Sequence, residues 1–174
     1  MTSTVRISTA EQVSQLLNAV DFILTDCDGV LYRTNEPIAG SADALNWMRK
    51  MGKKVFFVTN NSTVSRVHAT KRINDMGFTA DISEVYPTSF AVADYLKSLN
   101  FTGKAFVCGC DGIRHELDNA GIRHAGGEVE SLPEVLVPDV EIDADVNAVV
   151  IGYDNKLTLT KLIKVSSSCD QITA

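Results

Sequence analysis

Short β-prone apolar runs alternate with helical patterns along most of the 174-residue chain. Runs of apolar, β-branched or aromatic residues predict buried strands, whereas apolar residues at helical spacing predict helices. Strands that alternate with helices in this way are typical of a mostly parallel sheet with helices packed on it. The predicted strands are 22–25, 54–58, 84–86, 104–108 and 147–151, and the predicted helices are 8–19, one between Ser41 and Gly52, 64–76, 88–99, 111–120 and a last one from Thr158.

The first predicted helix opens with Ser8 and Glu11, which have the spacing of a capping box. Val13, Leu16 and Leu17 then fall on one helical face. This arrangement predicts a leading amphipathic helix ahead of the first strand.

The strand and helix pattern restarts at Gly103, and this restart divides the chain into three predicted regions. Residues 1–100 form a first α/β unit, residues 101–164 form a second, smaller one, and residues 165–174 form a divergent tail. The tail has no amphipathic period and is expected to be a frayed or alternative terminus. The stretch 125–155 contains no Lys or Arg, and such an acidic run is usually a solvated loop.

Composition narrows the class of protein. An apolar content of 45% with 22% charged residues is typical of a globular domain. A net charge of −6 argues against a nucleic-acid partner, which needs a basic face. No run reaches the length of a membrane span and the N-terminus lacks the apolar segment of a signal peptide, so we expect a cytoplasmic protein with no membrane partner. Its four cysteines show no zinc-binding spacing and are expected to be reduced.

Two carboxylates follow directly on the first predicted strand. Asp26 and Asp28 come after the apolar run 22–24, where an α/β sheet presents functional groups at its carboxyl edge. A pair of carboxylates beside a low-dielectric core favours a metal and a phosphate as partners. An acidic turn in which Gly29 supplies the bend is the structural alternative.

Polar side chains also follow the second predicted strand. Thr59, Asn60 and Asn61 come after 54–58, where a helix is predicted to begin soon afterwards. Hydroxyl, amide and backbone N–H groups at a helix N-terminus form an anion site. The alternative is that these residues only cap the next helix.

The segments DCDGVLY at 26–32, TNNST at 59–63 and GYD at 152–154 resemble the haloacid dehalogenase superfamily, and within it the 4-nitrophenylphosphatase, phosphoglycolate phosphatase and pyridoxal phosphatase (chronophin) group. The resemblance extends from about Val20 to Leu162. It implies a Rossmann-like parallel core with a C2-type cap, the cap corresponding to 101–164. It also implies a Mg²⁺-dependent hydrolase of small-molecule phosphomonoesters.

The resemblance assigns a role to each candidate residue. Asp26 would be the nucleophile that forms an aspartyl-phosphate, and Asp28 would act as general acid and base. Mg²⁺ would contact an Asp26 oxygen and the Asp28 backbone carbonyl. Thr59 and the Asn60 N–H would hold a phosphate oxygen, and Asn61 would orient the turn. Cys27 is expected to pack away from the reaction, although its position suggests sensitivity to oxidation.

The family continues beyond the point where the resemblance ends, with a phosphate-binding Lys and a GDxxxxD segment. This chain contains no GD dipeptide. The resemblance therefore implies an incomplete core, a partial cap and a truncated form whose activity is open. The alternative function is a non-catalytic isoform that forms a homodimer or binds and regulates a full-length phosphatase.

Other interpretations are weaker. A receiver-type phosphoacceptor domain takes its acidic residues from different strands, whereas Asp26 and Asp28 follow one strand. His68 and His115 are expected on helices and His124 between a helix end and the acidic run, all three away from both motifs. Arg33 follows Asp28 closely and could reach a substrate, but it is expected to be an exposed loop residue.

Overall fold

A computed structural model of the chain describes residues 6–127 and 143–173. The helices are α1 (Ala10–Asn18), α2 (Ser41–Lys50), α3 (Arg66–Asp75), α4 (Thr88–Ser98), α5 (Asp111–Asn119) and α6 (Leu159–Thr173). The strands are β1 (Phe22–Thr25), β2 (Tyr32–Arg33), β3 (Glu36–Pro37), β4 (Lys54–Thr59), β5 (Val85–Pro87), β6 (Lys104–Cys108), β7 (Arg123–Ala125) and β8 (Val146–Ile151). A 3-10 turn, Ile82–Glu84, precedes β5.

The first sheet is parallel and has the strand order β1-β4-β5. Leu24 lies opposite Phe56, and Phe57 lies opposite Val85. Alternate residues of β4 point to opposite faces, so Val55 and Phe57 are fully buried on the side of α2 and α3. This parallel register brings the carboxyl ends of β1 and β4 together at one edge.

The second sheet is also parallel and has the order β7-β6-β8. Its central strand β6 contributes Ala105 and Val107 to a separate core cluster that also contains Ile113 and Leu117 of α5. Helix α6 packs against β8 and β6. The predicted α/β class with mostly parallel strands is therefore confirmed. The domain boundaries at residues 100 and 164 stay a prediction.

Three strands were not predicted. β2 and β3 pair as a two-residue antiparallel hairpin, which is too short to show a pattern. β7 is the polar-rich segment Arg123–Ala125, and it exists because it pairs with β6. Its residue His124 therefore lies in a strand, where it pairs with Asp118 at 2.9 Å, and not between a helix and a loop as predicted.

The start of α1 differs from the prediction. Thr9 is the N-cap, and Thr9 with Gln12 forms the capping box, in place of Ser8 and Glu11. A box one residue later fits the same physical rule, because Gln at the third helical position also returns a hydrogen bond to the cap. Of the apolar residues expected on one face, only Leu17 is buried.

The prediction of a frayed tail was wrong, because α6 continues to Thr173. Its most buried positions are Lys161 and Ser168, with exposed fractions of 3% and 2%. A helix that buries polar residues shows no apolar period, and for that reason the continuation of the predicted last helix beyond residue 164 was missed. Gln171 near the end donates to the Ala144 carbonyl at 3.0 Å.

The expectation of a solvated acidic run can be compared with the structure only at Asp143 and Asp145, whose side chains are 39% and 71% exposed, in agreement with it. Glu128, Glu130, Glu134, Asp139 and Glu141 lie outside the described residues. Asp143 forms an ion pair with Lys104, and Asp145 lies 3.8 Å from Arg123. Basic residues distant in sequence supply these partners. Within residues 6–127 and 143–173, no helix is long and apolar enough to cross a membrane.

Candidate active site

A tight turn displays Asp26 and Asp28 at the carboxyl end of β1. The Cys27 carbonyl accepts the Leu31 N–H at 2.9 Å, and the Gly29 N–H donates to the Tyr32 carbonyl at 2.8 Å. Gly29 has φ +82°, a conformation that favours glycine. Both Asp residues are exposed, and the turn leaves them at the open edge of the sheet.

A hydrogen bond joins this turn to the loop after β4. The Thr59 hydroxyl donates to Asp28 Oδ2 at 3.1 Å and accepts the Asn61 N–H at 3.1 Å. Thr59 is only 4% exposed, so the contact is sheltered from water. The two segments that sequence analysis selected therefore meet, as the parallel pairing of β1 with β4 requires.

Asn61 shapes the rest of the loop. Its Oδ1 accepts the Thr63 N–H at 2.8 Å and the Thr63 hydroxyl at 2.6 Å, which is an Asx turn. The N-cap of α3 is Ser65, whose side chain accepts the His68 N–H. Because capping is done by Ser65, the alternative in which 59–62 only caps the next helix does not hold.

An open cavity of about 320 Å³ lies beside the two segments. It is lined by Asp28, Asn60, Asn61, Ser62, Thr63 and Tyr153. Tyr153 comes from the loop after β8, and its N–H donates to the Ser62 hydroxyl at 3.2 Å. Sequence reasoning gave Tyr153 no role; its signal was the GYD segment, which was noted only as part of the resemblance.

Arg72 is a second residue that sequence reasoning missed. Its guanidinium lies 3.9 Å from Asp28 Oδ1, stands 4.9 Å above the centre of the Tyr32 ring, and donates to the Thr34 carbonyl. A cation at this place offsets the repulsion between the two carboxylates. Nothing in the helical pattern of α3 distinguishes Arg72 from its neighbours, because its role depends on the β1 turn folding over it.

Cys27 is fully buried, as its expected packing role requires. Burial raises the pKa of the Cys27 thiol to about 12, and a side-chain hydrogen bond from Tyr32 offsets this only in part. Oxidants react with the thiolate, so a buried thiol with a raised pKa is protected. Burial and the raised pKa therefore disfavour oxidation of Cys27, and the expected sensitivity to oxidation stays a prediction.

The histidines and Arg33, which were also considered as candidate site residues, lie away from the cavity. None of the three histidines lines the cavity. His68 contacts Ser65 at 2.8 Å, His115 is exposed on α5, and Arg33 is exposed in β2. His68 and His115 lie on helices as predicted, whereas Arg33, like His124, lies in a strand.

The two carboxylates that follow β1 suit a hard cation. Asp26 and Asp28 offer carboxylate oxygens, and across the described ranges no group of three or more His, Cys, Asp or Glu residues forms a metal cage. Mg²⁺ is commonly held by one or two carboxylates together with water and substrate phosphate. The residues present therefore fit Mg²⁺ better than an ion that needs many protein ligands.

Comparison with known proteins identifies the family. The family described as haloacid dehalogenase-like hydrolase matches residues 23–123. The 4-nitrophenylphosphatase of Schizosaccharomyces pombe is 38% identical over 163 residues, covering 90% of this chain and 55% of that protein. Phosphoglycolate phosphatase 1A of Arabidopsis thaliana, a chloroplastic protein, is 38% identical over 160 residues, covering 87% of this chain and 43% of that protein.

A solved structure gives the same result. The p-nitrophenyl phosphatase from Archaeoglobus fulgidus superposes with a TM-score of 0.71 at 25% identity, covering 86% of this chain and 51% of that one. The chain thus spans about half the length of the relatives that it matches. From the fold, the two strand-end motifs and these matches, the chain belongs to the haloacid dehalogenase-like hydrolase family.

Proposed function

We propose that this chain carries the nucleophile-bearing part of a small-molecule phosphomonoester hydrolase. The observation that carries the proposal is the hydrogen bond from Thr59 to Asp28, which closes the β1 and β4 loops around one cavity. The names of the relatives support phosphate esters such as 4-nitrophenyl phosphate and phosphoglycolate as substrates.

In the proposed reaction Asp26 attacks the phosphorus atom. The bond between phosphorus and the ester oxygen breaks as an aspartyl-phosphate forms, and Asp28 gives its proton to the leaving alkoxide. Asp28 then takes a proton from the water that hydrolyses the aspartyl-phosphate. Two features support these roles: Asp26 is exposed, and across residues 6–127 and 143–173 its carboxylate accepts no hydrogen bond.

Thr59, Asn60 and Asn61 would bind the phosphoryl oxygens. The Thr59 hydroxyl has one hydrogen to donate, and in this structure it donates it to Asp28. Binding of a phosphate oxygen by Thr59 therefore requires this hydrogen to turn away from Asp28, which frees the Asp28 carboxyl for proton transfer. Asn61 keeps the loop in shape through its bonds to Thr63.

Asp26 and the Asp28 backbone carbonyl are the proposed holders of Mg²⁺. When bound, the ion supplies positive charge that lets an anionic nucleophile approach an anionic phosphate. We also propose a cytoplasmic location, which cell fractionation would test.

A second function has its own observation. β1 is at the edge of its sheet, and Phe22 and Leu24 are 54% and 69% exposed. An exposed apolar edge strand is a template for pairing with another chain. The alternative proposal is therefore a non-catalytic form that self-associates or binds a full-length phosphatase.

One assay separates the two functions. Hydrolysis of 4-nitrophenyl phosphate with Mg²⁺ is measured for the wild-type chain, Asp26→Asn and the control Asp94→Asn, whose side chain is exposed on α4. Catalysis predicts turnover by the wild type and the control but none by Asp26→Asn. Equal turnover by all three would contradict the nucleophile. Hydrolysis at the background rate by all three proteins, together with co-elution of the wild-type chain with a full-length phosphatase, would favour the non-catalytic form.

A further inference from the structure

A buried ion pair lies in the second α/β unit, outside the proposed catalytic residues. Lys161 Nζ is 2.7 Å from Asp154 Oδ2, and the two side chains are 3% and 5% exposed. Lys161 Nζ also donates to the Lys156 carbonyl at 3.0 Å, and Asp154 Oδ1 accepts the Lys156 N–H at 2.8 Å. Removing two charges from water is costly, so a pair of this kind is weak support for stability and calls for another reason.

The structure favours the ionised form of Asp154. Burial pushes the pKa of Asp154 upward, but the hydrogen bonds from Lys161 and from the Lys156 N–H outweigh burial, so the pKa lies below its ordinary value. Asp154 and Lys161 lie in direct contact, with side chains that are 5% and 3% exposed. Their attraction is strong because little water screens it.

The pair fixes the loop that carries Tyr153. Gly152 N–H donates to the Cys108 carbonyl at 2.9 Å, and the Tyr153 carbonyl accepts the Cys110 N–H at 2.9 Å. Asp154 follows directly and is held by Lys161 from the first turns of α6. The loop is thus bound to β6 on one side and to α6 on the other.

This loop also contacts the candidate active site closely. A Cβ atom added to Gly152 would lie 2.9 Å from Ser62 Oγ and 2.6 Å from Ile113 Cδ1. Ser62 is 7% exposed and accepts the Tyr153 N–H at 3.2 Å. Tyr153 itself is 64% exposed and lines the same cavity as Asp28.

We propose that Lys161 and Asp154 are positioning residues that hold the loop 152–156 so that Tyr153 and Ser62 keep their places at the cavity. The second α/β unit would then determine one wall of the site without contacting the phosphate. This inference rests on the proposed function for the meaning of the cavity, but the placement of Tyr153 is measurable without turnover.

The test compares Asp154→Asn, Lys161→Met and the double variant in the whole 174-residue chain. The thermal midpoint and the hydrogen exchange of the Tyr153 and Cys110 amides are measured, with the Phe57 amide of β4 as internal control. Each single variant leaves a buried charge unpaired and lowers the midpoint, whereas the double variant removes both charges and recovers most of it.

Positioning predicts that the double variant, although restored in stability, still exchanges its Tyr153 and Cys110 amides about tenfold or more faster than wild type while Phe57 is unchanged. Full recovery of both the midpoint and the exchange protection would overturn the proposal, because the pair would then serve stability alone. If 4-nitrophenyl phosphate is hydrolysed, KM should rise more than kcat falls.

Asp154→Asn decides the question if the double variant does not fold, because it keeps the side-chain volume. Faster exchange confined to Tyr153 and Cys110 supports positioning. Exchange raised equally across the second sheet contradicts it. Absence of turnover in the wild-type chain as well as in every variant, with the exchange result as predicted, would refute the proposed function and leave the positioning role intact.

Discussion

The central strands of the two sheets are buried in different ways. In β6 four successive residues, Ala105 to Cys108, are buried, so both faces of this strand are covered. In β4 Val55 and Phe57 are fully buried, while Val58 on the opposite face is 40% exposed. Parallel sheets are normally covered on both faces. The first sheet departs from this rule, because one of its faces is apolar and exposed and its edge strand β1 is unpaired on one side.

Aromatic rings lie in a row on the uncovered face of the first sheet. Phe22, Phe56 and Tyr86 form a row of neighbouring rings with centroids 6.1 Å apart at each step. Arg66 extends the row, with its guanidinium 4.9 Å from the centre of the Tyr86 ring. The sheet that carries the candidate catalytic carboxylates is thus the one with more unburied apolar surface, while the sheet with the buried central strand supports the cavity wall.

Matched substitutions should show the largest contrast between the sheets. Phe106 in β6 is 6% exposed and Phe22 in β1 is 54% exposed. Phe106→Ala should destabilise the chain by about 3–5 kcal/mol because it leaves a cavity, whereas Phe22→Ala should cost less than about 1 kcal/mol. Urea unfolding followed by circular dichroism measures both. Equal losses would mean that the β1 face is covered in solution.

Substitutions on the edge strands of the two sheets should differ in their effect on self-association of the chain. Leu24 in β1 and Ile151 in β8 are similarly exposed, at 69% and 67%, and both strands are sheet edges. Leu24→Lys should weaken self-association of the chain about tenfold or more, because a charge blocks edge pairing on the apolar face. Sedimentation over a concentration series measures this. An equal effect of Ile151→Lys would remove the distinction between the two edges.

Low pH should destabilise the first sheet because Glu84 becomes protonated. Its hydrogen bond with Arg49, at 2.6 Å, lowers the pKa of Glu84 below its ordinary value. A carboxyl whose folded pKa is lowered stabilises the fold above its unfolded pKa of about 4.3, and that stability is lost as pH falls through the folded value. Unfolding measured between neutral pH and pH 3 should therefore depend less on pH in Arg49→Met than in wild type. An unchanged pH dependence would show that the pair contributes nothing.

The smallest expected effect on stability concerns the cavity wall. Because Tyr153 is largely exposed, Tyr153→Ala should change the free energy of unfolding by no more than about 0.5 kcal/mol. If the chain hydrolyses phosphate esters, the same change should raise KM. Thermal melting and steady-state kinetics check the two parts, and a large loss of stability would show that the ring packs into the fold.

The parts of the fold that were predictable are those in which local pattern and tertiary environment agree. Apolar runs located β1, β4, β5, β6 and β8 to within two residues, and the parallel order brought Asp28 next to Thr59.

The unpredicted parts depend on distant contacts. β7 needs β6 as a partner, and α6 buries Lys161 because Asp154 binds it. Arg72 lies beside Asp28 only after the β1 turn has folded, and Tyr153 reaches the cavity through the second sheet. The hydrophobic pattern of a single sequence carries no information about such contacts between distant residues.

The central claim is that Asp26, at the free edge of the first sheet, is a nucleophile. Rapid quenching of the chain with 4-nitrophenyl phosphate and Mg²⁺, followed by mass spectrometry of the peptides, tests it directly. The account predicts a phosphorylated peptide at Asp26 that accumulates in Asp28→Asn, because hydrolysis of the aspartyl-phosphate then lacks its base, and that is absent in Asp26→Asn. A phosphorylated Asp26→Asn chain, or turnover by the wild type with no phosphorylated peptide at any time, would contradict it.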